Sequence, residues 1–327
     1  MPTNSLTEKQ IRELLTSMRD NQASCGFDAF VVMKCEPKLK SMSLYEAKNA
    51  NGKSFRDVLK EMVFSVIDNS FLSADSEYSD GTRLTDNQRK FLIIKQSGTF
   101  TPFSFLDTAD SADSFSAGDL SNASGLIFKI RKGNDTIWCY QHLWSIMVPN
   151  KKKTNLVTRI CDFENQTVFA EQTEQLLTIA RKVDILVING YLITSNTTLL
   201  QNNFGFQEYI HQAAEQAINS VSNIGVVSNA EKLTEYINRG NSKYAKKMMR
   251  IGTSRVLSMS AEELLEKINS VARWKDKFHI DAATNKIVLK TYTDVESFID
   301  LFDERYTRSD ITDTEYDTDV KTVAQPV

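Results

Sequence analysis

The sequence predicts an α+β fold, with a largely antiparallel sheet in the N-terminal half and a β-hairpin plus helices in the C-terminal half. Short apolar or alternating runs separated by turn residues dominate the first half, as is typical of strands. Apolar residues at helical spacing dominate the second half. The 327 residues are 41% hydrophobic and 25% charged, which is the composition of a globular protein with one large or two medium cores.

The first elements alternate between helix and strand. A helix capped by Thr7 precedes a strand in "GFDAFVVMKCEP" and an amphipathic helix in "GKSFRDVLKEMVFSVIDNSF". The inward face of this second helix is predicted to contain Phe55, Leu59, Met62, Val63 and Val66. Polar residues at 73–88 and 107–124 predict mobile loops, and "RKFLIIKQ" between them predicts a strand.

Turn residues define the next elements. "LIFKIRKGNDTIWCYQHLWSIMV" predicts two strands that turn at Gly133–Asp135, and "NLVTRICDF" predicts a third. "NQTVFAEQTEQLLTIARK" is predicted to be a helix, and "VDILVINGYLITSN" a hairpin that turns at Asn189-Gly190. Helices are then predicted at about 204–220, 229–238, 241–256 and 260–273, followed by strands at "FHID" and "KIVLK" and a last helix at "DVESFIDLFDERY". The change of character near residue 165 predicts regions 1–165 and 166–327, unless one continuous domain begins at about 125.

One basic segment stands out in a chain whose net charge is −3. "RGNSKYAKKMMRIGTSR", residues 239–255, contains six cations and no acid. Helical spacing places one set of cations on a single face, and these are Lys243, Lys246, Lys247 and Arg250. Tyr244, Met248 and Ile251 form a separate apolar stripe. The helix is therefore predicted to dock on a core and to present its cations, together with Arg239, to DNA.

A second group of cations is predicted to extend this surface. Lys129, Arg131 and Lys132 form a predicted basic strand edge, and the loop with Lys151, Lys152 and Lys153 follows in the sequence. If both groups face one side, or align across a homodimer, they would follow a phosphate backbone without reading bases. The alternative, that each group is an ordinary solvated face, stays open.

The C-terminal end has the opposite charge. Residues 300–319 contain eight acidic residues and two arginines, which leaves the rest of the chain at +3. Such an end is typical of a solvated tail, and the alternative is a segment that shields the cations at 243–250.

Catalytic and metal-binding motifs are missing from the sequence. No phosphate-binding loop, dinucleotide fingerprint or hydrolase elbow occurs, and His142, His211 and His279 are far apart. Cys139 and His142 form a CxxH without a second ligand pair, so we predict no metal, no cofactor and no catalytic residue. The four cysteines are predicted to be buried thiols, and Trp138, Tyr140 and Trp144 are predicted to be core residues.

A metal-dependent nuclease is the alternative function. Such a site needs carboxylates on adjacent strands and a nearby lysine, and Glu36-Pro37-Lys38 follows a strand that contains Asp28. Glu46 and Lys48 repeat the Glu-x-Lys pattern, but Pro37 interrupts the strand that would present the first pair. Asp184 is open to two interpretations as well, a metal ligand or an exposed strand end that pairs with Arg181 or Lys182.

The segment "VDILVINGYLITSNTTLLQNNFGFQEYI" resembles the signature of the KwaB family, the soluble component of the Kiwa anti-phage defence system. It has an Asp-led apolar strand, a turn, a second strand and a helix start at Phe206 and Glu208. "FKIRKGNDTIWCYQHLWSIMVPNKKK" and "LFDERYTRSDITDTEYDTDVKTV" extend the likeness over about 125–325.

The resemblance implies a cytoplasmic, dimeric DNA-binding effector. It also implies a membrane-embedded KwaA-like partner, which would bring the protein to the inner face of the cell membrane, where the two block phage DNA replication or expression. The family signature is hydrophobic and carries no catalytic residue. A non-catalytic interaction adaptor remains a further alternative.

Overall fold

The structure is a computed structural model that describes residues 6–34, 38–44, 48, 51–81, 90–96, 98, 100–144, 158–161, 168–171, 177–239, 242–308 and 315–317. These residues form two compact units that divide between Thr197 and Thr198, except that Gly81 groups with the second unit. The boundary predicted near residue 165 lies outside the described residues and stays a prediction.

Within the described residues, the first unit is built around a sheet of nine strands. In chain order the strands of this unit are β1 (Gly26–Met33), β2 (Leu39–Ser41), β3 (Glu77–Asp80), β4 (Lys90–Lys95), β5 (Asp113–Ser114), β6 (Ala123–Lys132), β7 (Asp135–His142), β8 (Thr158–Cys161), β9 (Val168–Glu171), β10 (Ile185–Ile188) and β11 (Tyr191–Thr194). The sheet order is β3-β4-β11-β10-β7-β6-β1-β2-β5, and β8 and β9 form a separate pair. Only the outermost pairs of the large sheet, β3–β4 and β2–β5, are parallel, which confirms the largely antiparallel prediction.

The tight hairpin forms as its sequence predicts. Asn189 and Gly190 have φ angles of 49° and 78°, the positive values that a two-residue turn needs. The hairpin inserts β10 against β7 and β11 against β4, so it belongs to the sheet of the first unit.

Two helices cover one face of this sheet. They are α1 (Glu8–Asp20) and α2 (Phe55–Val66), and each begins with a capping box, at Thr7 and at Ser54. Leu59 and Val63 are buried, and the other predicted inward residues of α2 pack against the same core. Each fully buried aliphatic side chain stabilises the fold by about 1.5–3 kcal/mol before entropy is counted.

Residues 168–171 and 177–180 differ from the helix predicted for them. Val168–Glu171 is strand β9, paired antiparallel with β8, and residues 177–180 have no regular structure. The helix prediction is therefore wrong over these residues. Thr167, Val168 and Phe169 have high strand propensity, and pairing with β8 stabilises the strand over the helix that the spacing predicts.

The two predicted loops contain short regular elements. Strand β3 lies inside 73–88, and residues 82–89 lie outside the described residues. The segment 107–124 contains parts of two 3-10 helices, Ser104–Ser111 and Ala117–Asn122, and buries Ala109 and Leu120. The predicted mobility of both loops stays a prediction.

The second unit is mainly helical. Its elements are α3 (Thr197–Asn203), which begins at the boundary, α4 (Phe206–Ile224), α5 (Glu231–Ile237), α6 (Ser242–Ile251), α7 (Ala261–Ser270), α8 (Ala272–Lys275), β12 (His279–Asp281), β13 (Lys286–Val288), α9 (Tyr292–Phe302), β14 (Tyr306–Arg308) and β15 (Glu315–Asp317). The predicted helices and the strand pair β12–β13 are confirmed. Among the residues that the structure describes, no helix has the length and apolar character needed to cross a membrane.

Candidate nucleic-acid interface

Helix α6 presents Lys243, Lys246 and Lys247 at the surface as its spacing predicts, but not Arg250. Ala245, Met248 and Ile251 are fully buried, and α6 packs against α4. Lys243 is exposed, and Lys246 and Lys247 are partly exposed. The buried stripe therefore fixes the helix on the core and leaves these three lysines at the surface.

Arg250 differs from the other cations of the stripe. Its Nη2 atom donates to Oδ2 of Asp303 at 2.5 Å, and the two side chains are only 18% and 19% exposed. A charge-assisted bond of this kind holds α6 against the end of α9. Arg250 thus has a structural partner, and Asp303 brings one residue of the acidic 300–319 stretch into contact with the basic helix. Shielding of the helix by the rest of that stretch stays a prediction.

Lys247 has a weaker partner. Its Nζ atom lies 3.5 Å from Oε1 of Glu296, and the two side chains are 31% and 47% exposed. The hydroxyl of Tyr236 donates to the same Oε1 atom at 3.1 Å, and burial and the neighbouring Glu296 raise the pKa of Tyr236. A half-exposed ion pair contributes at most about 1 kcal/mol, so a phosphate can replace Glu296 as the partner of Lys247.

Tyrosine rings organise two further cations beside α6. The guanidinium carbon of Arg239 lies 4.1 Å from the ring centroid of Tyr292 and 5.2 Å from that of Tyr244. Lys232 on α5 lies 4.9 Å from the Tyr292 centroid and also donates to Glu235 at 2.7 Å. Cation–π contacts hold a cation in place without neutralising its charge.

We call Lys232, Arg239, Lys243, Lys246 and Lys247 the α6 face. The sequence pattern does not indicate that Lys232 contacts Tyr292, because the two residues are 60 positions apart in the chain. No local spacing shows such a contact.

The predicted basic strand edge is wrong. Strand β6, which contains Lys129, Arg131 and Lys132, lies inside the sheet between β7 and β1. Alternation along the strand also sends Lys132 to the opposite face from the other two.

Each of these three cations has a partner inside the unit. Lys129 is 7% exposed, and its Nζ atom lies 3.0 Å from Asp110, whose pKa it lowers, and 4.7 Å from the Trp138 ring centroid. Arg131 donates to Asp28 at 2.8 Å, and Lys132 donates to the Ser17 hydroxyl at 2.8 Å. The loop with Lys151, Lys152 and Lys153 lies outside the described residues.

No metal centre is visible in the part of the chain that the structure describes. No group of three or more His, Cys, Asp or Glu side chains is placed there to hold an ion. Asp28 pairs with Arg131, while Glu36 and Glu46 lie outside the described residues. Cys139 is fully buried in the core, and burial raises the pKa of its thiol.

Asp184, the aromatic residues of β7 and Trp144 lie only partly where the sequence predicts them. Asp184 pairs with Lys182 at 3.1 Å, which confirms one of the two interpretations of this residue. The Asp184 side chain is only 9% exposed, however, so its predicted exposure is wrong. Tyr140 is a core residue as predicted, and Trp138 is partly buried. Trp144 is 48% exposed, so its assignment to the core is wrong. Strand β7 ends at His142, so Trp144 lies two residues beyond the end of the strand.

The fold and the site define an α+β protein of two compact units with a basic helical surface and, among the described residues, no metal centre. The sequence model of the Kiwa protein KwaB-like family matches residues 120–312, which is more than half of the chain, and the chain therefore belongs to this family. Membership makes it a component of the Kiwa anti-phage defence system, which implies partner proteins. No curated protein and no solved structure matches the chain.

Proposed function

We propose that this protein is an anti-phage effector that binds DNA through the α6 face without reading its sequence. The observation that carries the proposal is the gathering of five cations on three neighbouring segments of a chain whose net charge is −3. Lys232 pairs with Glu235 and Lys247 with Glu296, and both pairs are partly solvated.

The chemistry of the face fits a phosphate backbone. Lysine and arginine side chains that meet phosphates release condensed counterions, which supplies affinity for any sequence. The guanidinium carbon of Arg239 lies 4.1 Å from the Tyr292 ring centroid, and a guanidinium can donate to a phosphate in two parallel bonds. Backbone contacts of this kind carry no base information.

We infer a mode of action that fits membership of the Kiwa system. In this proposal the protein pairs as a homodimer or higher assembly, which places two α6 faces on one duplex. A KwaA-like membrane protein recruits it to the inner face of the cell membrane, and bound phage DNA is then blocked from replication or expression. The family match and the basic face support this arrangement.

Incubation with plasmid and Mg²⁺ or Mn²⁺ tests binding against the alternatives. We expect retarded but intact plasmid. Nicking that disappears in Glu36→Ala or Lys38→Ala would establish the nuclease instead, and neither retardation nor nicking would leave the adaptor. Co-expression with the KwaA-like protein checks recruitment, since the proposal requires the effector to appear in the membrane fraction only when that partner is present.

A further inference from the structure

A second cluster of aromatic and basic side chains lies in the first unit, at the end of β7. Trp144 and His142 meet at right angles with ring centroids 4.7 Å apart. The ammonium of Lys182 lies 5.6 Å from the Trp144 ring centroid. Despite both contacts, Trp144 is 48% exposed, an unusual exposure for the largest apolar side chain.

Two buried groups hold this cluster in place. The Asp184 carboxylate accepts the backbone N–H of His142 at 2.8 Å and the ammonium of Lys182 at 3.1 Å. Tyr140 shares a hydrogen bond of 3.0 Å with Nδ1 of His142, and Phe103 packs edge-on against the tyrosine ring at 5.4 Å.

Gly125 makes room for that arrangement. Gly125 is a residue of β6 and lies opposite His142 of β7. A Cβ atom at Gly125 would lie 2.3 Å from Cε2 of Tyr140. Only a glycine lets the Tyr140 ring lie across β6 and reach the imidazole. The sheet therefore builds a rigid support beneath an exposed indole.

The charges around the indole favour an anion. Partial burial lowers the pKa of His142, and the neighbouring Lys182 and Lys34 lower it further against the opposing effect of Asp184. Of these two lysines, Lys182 also lies 5.6 Å from the Trp144 ring centroid. The Asp184 side chain is 9% exposed, so the surface presents cations and an aromatic ring while the carboxylate stays inside.

We infer that this cluster binds an unpaired nucleotide of single-stranded DNA, with the base stacked on Trp144 and the adjoining phosphate at Lys182. Stacking on an aromatic side chain needs a base that has left its own stack, whereas a duplex offers only its backbone and groove edges. The site uses no residue of the α6 face and lies in the other compact unit. The Trp144 cluster would therefore bind single-stranded DNA, in addition to the duplex binding that we propose for the α6 face.

Binding of a short oligothymidylate to the full chain tests the inference. Trp144→Ala should weaken binding about tenfold, because one base stacked on an aromatic residue contributes on the order of 1–3 kcal/mol, and Trp144→Phe should keep most of the affinity. An abasic oligonucleotide of the same length should bind the parent and Trp144→Ala equally. Val58→Ala, another exposed apolar position of the same unit, is the matched control and should bind as the parent does.

The outcomes separate this inference from the proposed function. Equal oligothymidylate affinities for the parent and Trp144→Ala would overturn it, and so would an equal loss on duplex and single strand. Lysine substitutions on the α6 face should weaken duplex binding and leave the effect of Trp144→Ala on oligothymidylate intact. If duplex binding proves independent of the α6 face while Trp144→Ala still weakens oligothymidylate, the proposed interface fails and this site stands.

Discussion

At the scale of single residues, Arg250 and Lys246 show how one sequence stripe divides into two roles. Arg250 is mostly buried with Asp303, whereas Lys246 is a partly exposed member of the α6 face. The sequence predicts the stripe, because spacing along one helix is local. It does not predict the ion pair, because Asp303 is 53 residues away in the sequence.

Arg250→Ala should lower the free energy of unfolding by roughly 1.5–3 kcal/mol, because it removes a charge-assisted hydrogen bond to the mostly buried Asp303 carboxylate. Lys246→Ala should change the free energy of unfolding by less than about 0.5 kcal/mol. Denaturant unfolding of the two variants measures both values. Equal stability of Arg250→Ala and the parent would show that the ion pair contributes nothing.

His142 predicts a pH dependence of stability. Its pKa in the folded protein lies below the ordinary value of 6.5, so the unfolded chain takes up this proton first as the pH falls. The stability that His142 contributes is therefore present above about pH 6.5 and is lost as the pH falls through its folded pKa. Unfolding measured between about pH 7.5 and 5.5 should show a shallower loss in His142→Gln than in the parent. Parallel pH profiles for the two proteins would contradict this prediction.

At the scale of elements, local signals predict well where the deciding contacts are local. The Asn189-Gly190 turn and the Thr7 capping box need only neighbouring residues, and both form. Strand β9 and the interior position of β6 depend on partners elsewhere in the chain, and both were predicted wrongly. Strand order is a long-range property, so a basic strand gives no sign of whether it lies at an edge.

Gly125 tests the packing between β6 and β7. Gly125→Ala should cost about 1–3 kcal/mol, since the added methyl group collides with the buried Tyr140 ring, which Phe103 prevents from moving aside. Gly26→Ala at the start of β1 is the matched control, because its nearest new contact is an ordinary 3.7 Å. Thermal or denaturant unfolding gives both values. Similar stability for both variants would mean that Tyr140 relaxes freely.

At the scale of the whole molecule, the fold class and the family signature were readable from sequence, because hydrophobic patterning is repeated along the chain. The basic helix was readable for the same reason. Two other features could not be predicted from the sequence: the contact of Arg239 with its tyrosines, and the cluster around Trp144. Each of them joins segments from separate elements. The sequence therefore predicted which helix to test, and the structure shows that Lys243, Lys246 and Lys247 lie at the surface while Arg250 is mostly buried.

The salt dependence of duplex binding tests the α6 face most directly. Each neutralised phosphate contributes a slope of about −0.9 in log affinity against log salt, so Lys243→Ala, Lys246→Ala and Lys247→Ala combined should flatten the slope by roughly 2 to 3 units per protomer. The loss should be the same for unrelated DNA sequences. Lys267→Ala, Lys275→Ala and Lys277→Ala combined remove the same charge from exposed positions of the same unit and should leave the slope nearly unchanged. A slope equal to the parent's in the first triple variant would contradict the proposed interface.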